Sequence, residues 1–332
     1  TPQGEPPTLD PGREALTSLL SDTAKDEKPD PLRLTGVGDP PPVTTSYLTG
    51  TTVADAEAEK FLAVMIDLAP AARPLFRGVD AAKLIFEMPA EGGVPRILAI
   101  FGSFDLPEEI GPIRSARDYF VQLAESIAGG YVHAGGSPDA LEMLYGTSMT
   151  NYDEYGDGFV RDTDLARPHN LFITPADIIA TTAESERSES FFVYDIATPT
   201  APLGESAQRI DVNISTRRHT IAWDYDLDAN CYRREQQLET MAFCAQNVVV
   251  LATDIFVIPE DEKGRLDARV TGEGEGILFR EGLAYRIRWE REAGGLFRLL
   301  GPETGDAVPL LPGRSFFQII DTMEKVAFSS PG

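Results

Sequence analysis

The sequence predicts an α/β N-terminal domain over residues 57–190, a mainly β (α+β) C-terminal domain over residues 191–330, and a disordered Pro-rich linker over residues 1–56. Three observations carry this reading. Residues 1–42 hold nine prolines among Ser, Thr, Gly and acidic residues, ending in Asp39-Pro40-Pro41-Pro42, the composition of a solvated, partly extended tether. Between Glu57 and about Glu186, apolar runs alternate with helical patterns. From about Phe191 onward the pattern changes to alternating strands punctuated by Gly and Pro.

Taken in order, the linker carries one short helical pattern at Glu14 to Ala24. The first strand of the body is Phe61-Leu62-Ala63-Val64-Met65-Ile66-Asp67, followed by strands at Ala82 to Glu87 and Arg96 to Phe101. A helix is expected from Tyr119 to Ile127, because Phe120, Leu123, Ala124 and Ile127 share one face. Gly130 to His133 is the next strand. Ser137-Pro138-Asp139-Ala140 and Thr174-Pro175-Ala176-Asp177 both read as helix starts, with a hydroxyl cap and proline at the first helical position. Strands are then expected at Ile210 to Ser215, Thr220 to Trp223, Asn247 to Leu251, Gly276 to Arg280, Leu283 to Trp289 and Ser315 to Ile320.

Composition sets the outer limits. With 332 residues, 42% of them apolar and 9% aromatic, the chain can bury a sizeable core. Its net charge of −24, from 29 basic and 53 acidic side chains, repels nucleic acid over most of the surface, so no nucleic-acid partner is expected. No window approaches the roughly 20 apolar residues of a membrane span, and Thr1 to Asp10 carry no signal-peptide pattern. A linker ahead of a compact body suits an exported protein whose signal or anchor was removed.

In so acidic a chain, Arg114 and Arg117 in Gly111-Pro112-Ile113-Arg114-Ser115-Ala116-Arg117 stand out. They follow an apolar strand and precede a helix, where backbone NH groups, the helix dipole and guanidinium forks can converge on an anion. The alternative is structural: Asp105, Glu108, Glu109 and Asp118 are close enough in sequence to pair with them.

Several motifs resemble, in order, those of the YerB-like bacterial lipoprotein family. They are Phe61 to Asp67 with Ala71-Ala72-Arg73-Pro74, Glu91 to Phe101, Gly111 to Arg117, His133-Ala134-Gly135-Gly136-Ser137, and Arg161-Asp162 leading to Pro168-His169-Asn170-Leu171. The second half adds Trp223-Asp224-Tyr225-Asp226, Tyr232-Arg233-Arg234, Asn247 to Val250, Gly272 to Gly276 and Leu311-Pro312-Gly313. The resemblance covers roughly residues 57–325. It implies an exported envelope protein, attached to the outer face of the cytoplasmic membrane by a lipid anchor absent from this chain, with two domains of no assigned activity. The chain departs from the family where Leu68-Ala69-Pro70 replaces a polar stretch after Asp67, which weakens a polar role for that carboxylate.

Chemistry then rests on the residues. Arg73, Arg96, Arg114 and Arg117 lie near strand ends with Asp67 and Glu87, where α/β sheets present ligand crevices. With His133, Ser137, His169 and Asn170 they form the expected binding set for an anionic envelope ligand: a glycan, a peptidoglycan fragment or a lipid-linked phosphate. One alternative is a phosphotransferase like the LytR-CpsA-Psr enzymes, with arginines on pyrophosphate and Asp67 or Glu87 on Mg²⁺. Another is a scaffold contacting other envelope proteins. The balance leans away from an enzyme, and no cofactor is expected, with Mg²⁺ or Ca²⁺ as minor alternatives.

Three lures are set against plainer readings. Ser137 with His133 or His169 suggests a hydrolase, but no GxSxG elbow is present and the helix cap explains the serine. Asp224-x-Asp226-x-Asp228-x-Asn230 imitates a calcium loop, yet Ala229 replaces the required glycine and strand-like segments flank it, so an aspartate-rich turn is expected. Three histidines, His133, His169 and His219, and two cysteines supply a zinc site poorly. Cys231 and Cys244, within one hairpin, are read equally as a disulfide or as two thiols.

Overall fold

A computed structural model of the chain describes residues 44–53, 55–56, 58–184, 191–194, 204–215, 219–236 and 241–330. Residues 1–43 of the linker, with the helix expected at Glu14 to Ala24, lie outside the described residues. Residues 44–53, at the end of the segment read as linker, are paired. Strand β1 (Thr44–Thr45) runs antiparallel to β2 (Thr52–Val53), and Ser46, Leu48 and Thr49 around their turn are buried.

Three long strands follow: β3 (Phe61–Asp67), β4 (Leu84–Met88) and β5 (Arg96–Gly102), each buried along its whole length. Burial on both faces explains why they read as unbroken apolar runs. Helix α1 (Asp118–Glu125) buries Phe120, Leu123 and Ala124 as the periodicity predicts. Strand β6 (Gly130–His133), helix α2 (Pro138–Gly146) and strand β7 (Thr150–Asp153) form a parallel βαβ unit. A small hairpin of β8 (Phe159–Arg161) and β9 (Leu171–Ile173) precedes the short helix α3 (Pro175–Ile178).

The second half is built of strands. These are β10 (Glu205–Ser206), β11 (Arg209–Asn213), β12 (Thr220–Asp226), β13 (Cys231–Glu235), β14 (Cys244–Ala245), β15 (Asn247–Ala252), β16 (Ile255–Val257), β17 (Leu266–Ala268), β18 (Gly272–Arg280), β19 (Leu283–Arg291), β20 (Arg298–Leu300), β21 (Ser315–Ile320) and β22 (Val326–Ser329). Cys231 and Cys244 are joined as a disulfide that ties β13 to β14. The aspartate-rich segment is the turn between β12 and β13, with Asp226 Oδ1 accepting from the backbone of Asp228 and Ala229 at 3.0 Å.

The two sequence halves meet in one sheet. One 11-stranded sheet runs β10-β19-β18-β15-β21-β4-β5-β3-β6-β7, with β20 paired to β19, so strands of both sequence halves share a single sheet. The seam is the parallel pair β21 and β4, with Phe317 opposite Phe86. From Thr44 onward the chain is one compact unit. Helices are short and few, so the first half is α/β only around β6-α2-β7 and the body as a whole is mostly β.

Alternation along the central strands feeds two cores, one on each sheet face. Met65, Phe86, Leu98 and Ile100 pack with α1. Val64, Ile66, Ile85 and Ala99 pack with Ile210, Val212, Trp223 and Tyr232 of a second sheet, ordered β14-β13-β12-β11-β22. The rings of Trp223 and Phe316 meet edge to face at 4.8 Å, an arrangement that aromatic quadrupoles favour.

Candidate functional site: an arginine-lined pocket at the ends of β3 and β6

Strands β3 and β6 run parallel, and their C-terminal residues, Asp67 and His133, end at the same side of the sheet. The segment after β5 passes across these ends and is fixed by its backbone. Asp67 N donates to Pro112 O at 2.9 Å, Arg114 N to Met65 O at 2.9 Å, and Ala134 N to Arg114 O at 3.0 Å. Arg114 is thereby placed beyond the carboxyl ends of parallel strands, the usual location of ligand crevices in such sheets.

Asp67 is the buried anchor of the site, with 2% of its side chain exposed. Its Oδ1 accepts from Ala69 N at 3.0 Å. Its Oδ2 lies 2.7 Å from His169 Nδ1 and 3.5 Å from Arg114 Nε. Asp67 thus has polar partners despite the apolar Leu68-Ala69-Pro70: His169 and Arg114 from other segments and the backbone of Ala69 from this one. Among the described residues, the terminal nitrogens of Arg114 and Nε2 of His169 have no protein partner.

Next to these groups is a pocket of about 180 Å³ lined by Ile113, Arg114, Ser115, Ala134, Glu154, Arg161, Arg167, Pro168 and Leu171. Arg161 is committed: it pairs with Glu154 and donates to Asn170 Oδ1 at 3.2 Å. Asn170 in turn donates to Asp162 O at 3.0 Å, so it braces Arg161. Arg167 is exposed and has no ion pair or hydrogen bond among the described residues. Three guanidiniums here face two carboxylates, those of Asp67 and Glu154, in a chain that is otherwise strongly acidic.

The other expected site residues fall elsewhere. Arg117 and Arg96 both turn onto Glu91: Arg117 Nε is 3.0 Å from Oε2 and Arg96 Nη2 is 2.8 Å from Oε1. Arg96 also donates to Ser115 O at 2.9 Å. Burial lowers both guanidiniums from their ordinary value, Arg96 to about 10. Arg117 occupies the extended cap position of α1, which sends it away from Arg114 although the two are three residues apart. Arg73 is buried with Nε 3.2 Å from Leu68 O. Glu87 is fully buried against Arg234 and Gln318.

His133 is also fully buried, its Nδ1 2.9 Å from Gly135 O and its Nε2 2.7 Å from Asn151 Oδ1. Ser137 Oγ accepts from Ala140 N at 3.3 Å and caps α2, with Pro138 in the first helical turn. Gly135 N donates to Asp153 Oδ1 at 3.2 Å. None of these residues lines the pocket, and the Arg161, Arg167 and Glu154 that do were not singled out as ligand residues. All three precede Pro168-His169 in the chain, and spacing alone does not show which of them share a pocket.

Fold and site together define a mostly β protein, built on one sheet shared by two sequence halves, with a small basic pocket at the strand ends of the first. The chain belongs to the DUF3048 family: the N-terminal domain of that protein of unknown function matches residues 48–188, and its C-terminal domain matches residues 210–317. It is 30% identical over 283 residues to the Bacillus subtilis (strain 168) protein named "Putative lipoprotein YerB", covering 81% of this chain and 83% of that one. The crystal structure of YerB from Bacillus subtilis superposes with a TM-score of 0.74 at 25% identity, over 86% of this chain and all of that one.

Proposed function

We propose that this is an extracytoplasmic envelope protein, held at the membrane by a lipid anchor, that binds an anionic envelope ligand between Arg114 and Arg167. The name of the Bacillus subtilis relative supports the lipoprotein part. The binding part rests on one observation: among the described residues, Arg167 has no ion pair or hydrogen bond and Arg114 meets only Asp67, through Nε, and both line one pocket in a chain with a net charge of −24. Guanidinium forks match the oxygens of carboxylates and phosphates, and the donors of Arg114 and Arg167 that meet no protein group among the described residues can take such a ligand.

Thermal-shift measurements test the reading. Acidic muropeptides, sugar phosphates and prenyl phosphates should raise the melting temperature of the wild type, and Arg114→Ala and Arg167→Ala should abolish the shift. A neutral oligosaccharide that shifts the protein equally, or no shift with any anion, sinks the proposal. The hydrogen bond between Asp67 and His169 favours a second reading, phosphotransfer on a lipid-linked glycan, because a carboxylate-oriented imidazole is a common proton carrier.

A further inference from the structure

We infer that the anion taken by this pocket is a terminal phosphate, a phosphomonoester or free phosphate, and that His169 is the group that selects it. The inference rests on the anion-binding reading and names its ligand class. Three features of the site lead there.

Size comes first. A pocket of about 180 Å³ is smaller than the roughly 300–1,000 Å³ that encloses a whole small-molecule ligand. It therefore receives a headgroup, with the remainder of the ligand outside.

Donor number comes second. Among the described residues, the terminal nitrogens of Arg114, the whole fork of Arg167 and Nε2 of His169 have no protein hydrogen-bond partner. His169 directly follows Pro168 of the pocket wall, and its Nδ1 and Arg114 Nε both lie within 3.5 Å of the same oxygen of Asp67. Three separate groups on one headgroup suit three terminal oxygens. A carboxylate offers only two, and a phosphodiester has two of its oxygens tied up in ester bonds.

Proton chemistry comes third. Asp67 is buried and accepts from Nδ1, so it fixes the imidazole with Nε2 as the free nitrogen. That nitrogen either donates, when the ring is charged, or accepts, when it is neutral. A phosphomonoester has a second ionisation near pH 6, so around neutrality it too can stand on either side of one proton. Imidazole and ligand can share that proton in both arrangements. A diester, a sulfate or a carboxylate has no such proton to share near neutral pH.

The test is titration calorimetry at pH 6.5 on the wild type, Arg167→Ala and His169→Gln, with methyl phosphate, dimethyl phosphate, sulfate and acetate. Inorganic phosphate, glucose 1-phosphate and farnesyl phosphate form a second series that separates free, sugar-borne and lipid-borne sources. The wild type should bind methyl phosphate at least tenfold more tightly than the diester, sulfate or acetate. Arg167→Ala should weaken every anion about tenfold, the scale of one charge-assisted contact. His169→Gln should erase the monoester preference, bringing methyl phosphate down to the affinity of the diester. Both side chains are at least partly exposed, and melting curves confirm that the variants fold. Equal binding of monoester and diester, or an undiminished preference in His169→Gln, overturns the inference while the anion-binding reading stands. Binding of none of the anions overturns both.

Discussion

Glu87, from a strand of the first sequence half, and Arg234, from the second, form an ion pair at 3.2 Å with both side chains fully withdrawn from solvent. The pair is extended by Gln318, whose Nε2 donates to Glu87 at 3.1 Å and whose Oε1 accepts from Trp223 Nε1 at 3.1 Å. Residues from β4, β12, β13 and β21 thus meet in one buried polar network. Glu87→Ala should cost about 3–5 kcal/mol, because it removes one partner of a fully buried ion pair. Glu87→Gln should cost less, since an amide retains part of the hydrogen bonding. Urea denaturation measures both, and equal losses in the two variants would show that charge is not what the site requires.

Glu91 holds Arg96 and Arg117 at once. Glu91→Gln should destabilise the protein by about 2–3 kcal/mol, below the range for breaking a fully buried pair because Glu91 is itself partly exposed. Anion affinity at the Arg114 pocket should be unchanged. A loss of affinity equal to that of Arg167→Ala would instead place Arg117 in the ligand site.

Tyr119 lies against this cluster, its hydroxyl donating to Pro89 O at 3.1 Å. Burial raises its ionisation to about 12, against an ordinary value of about 10. Between these values the unfolded chain has lost the phenolic proton and the folded chain keeps it, so stability falls as pH rises. The contribution is intact below pH 10 and lost progressively up to about pH 12. Compared with Tyr119→Phe, the wild type should lose about 1 kcal/mol more between pH 9.5 and pH 11. Parallel pH profiles of the two proteins would refute this.

Ser137→Ala should cost about 1 kcal/mol, the usual worth of a helix N-cap. Ser137→Asp should recover most of that, because aspartate also caps well. If the alanine variant keeps its stability but loses ligand binding, the serine has a role that capping does not explain.

Much of the secondary structure was legible because burial writes itself into the sequence. Phe61 to Asp67 and Ser315 to Ile320 were found as apolar runs, and α1 by its spaced apolar face. The pairing of β21 with β4 was not legible, since Phe317 and Phe86 carry no mark of their mutual register across such a separation. Within the site, Arg114, Asp67 and His169 were anticipated as cleft residues, and Asn170 proved to be a brace for Arg161. Arg96 and Arg117 were read as ligand residues because spacing cannot say which way a side chain leaves the backbone. Glu91, in a short turn after β4, decides that direction for both. Arg167 escaped notice because an exposed loop cation has no periodicity to betray it.

The position of β21 also dictates when the protein can fold. This strand sits between β15 and β4 in the middle of the main sheet, yet it is made of residues Ser315–Ile320, close to the C-terminal end of the described chain. Until those residues are available, β4 and β15 have a row of unpaired backbone groups where their neighbour belongs. A nascent chain cannot pair β4 and β15 on both sides before β21 has been made. The main sheet is complete only when this strand is in place, and a product truncated before Ser315 would present two open sheet edges rather than one finished domain.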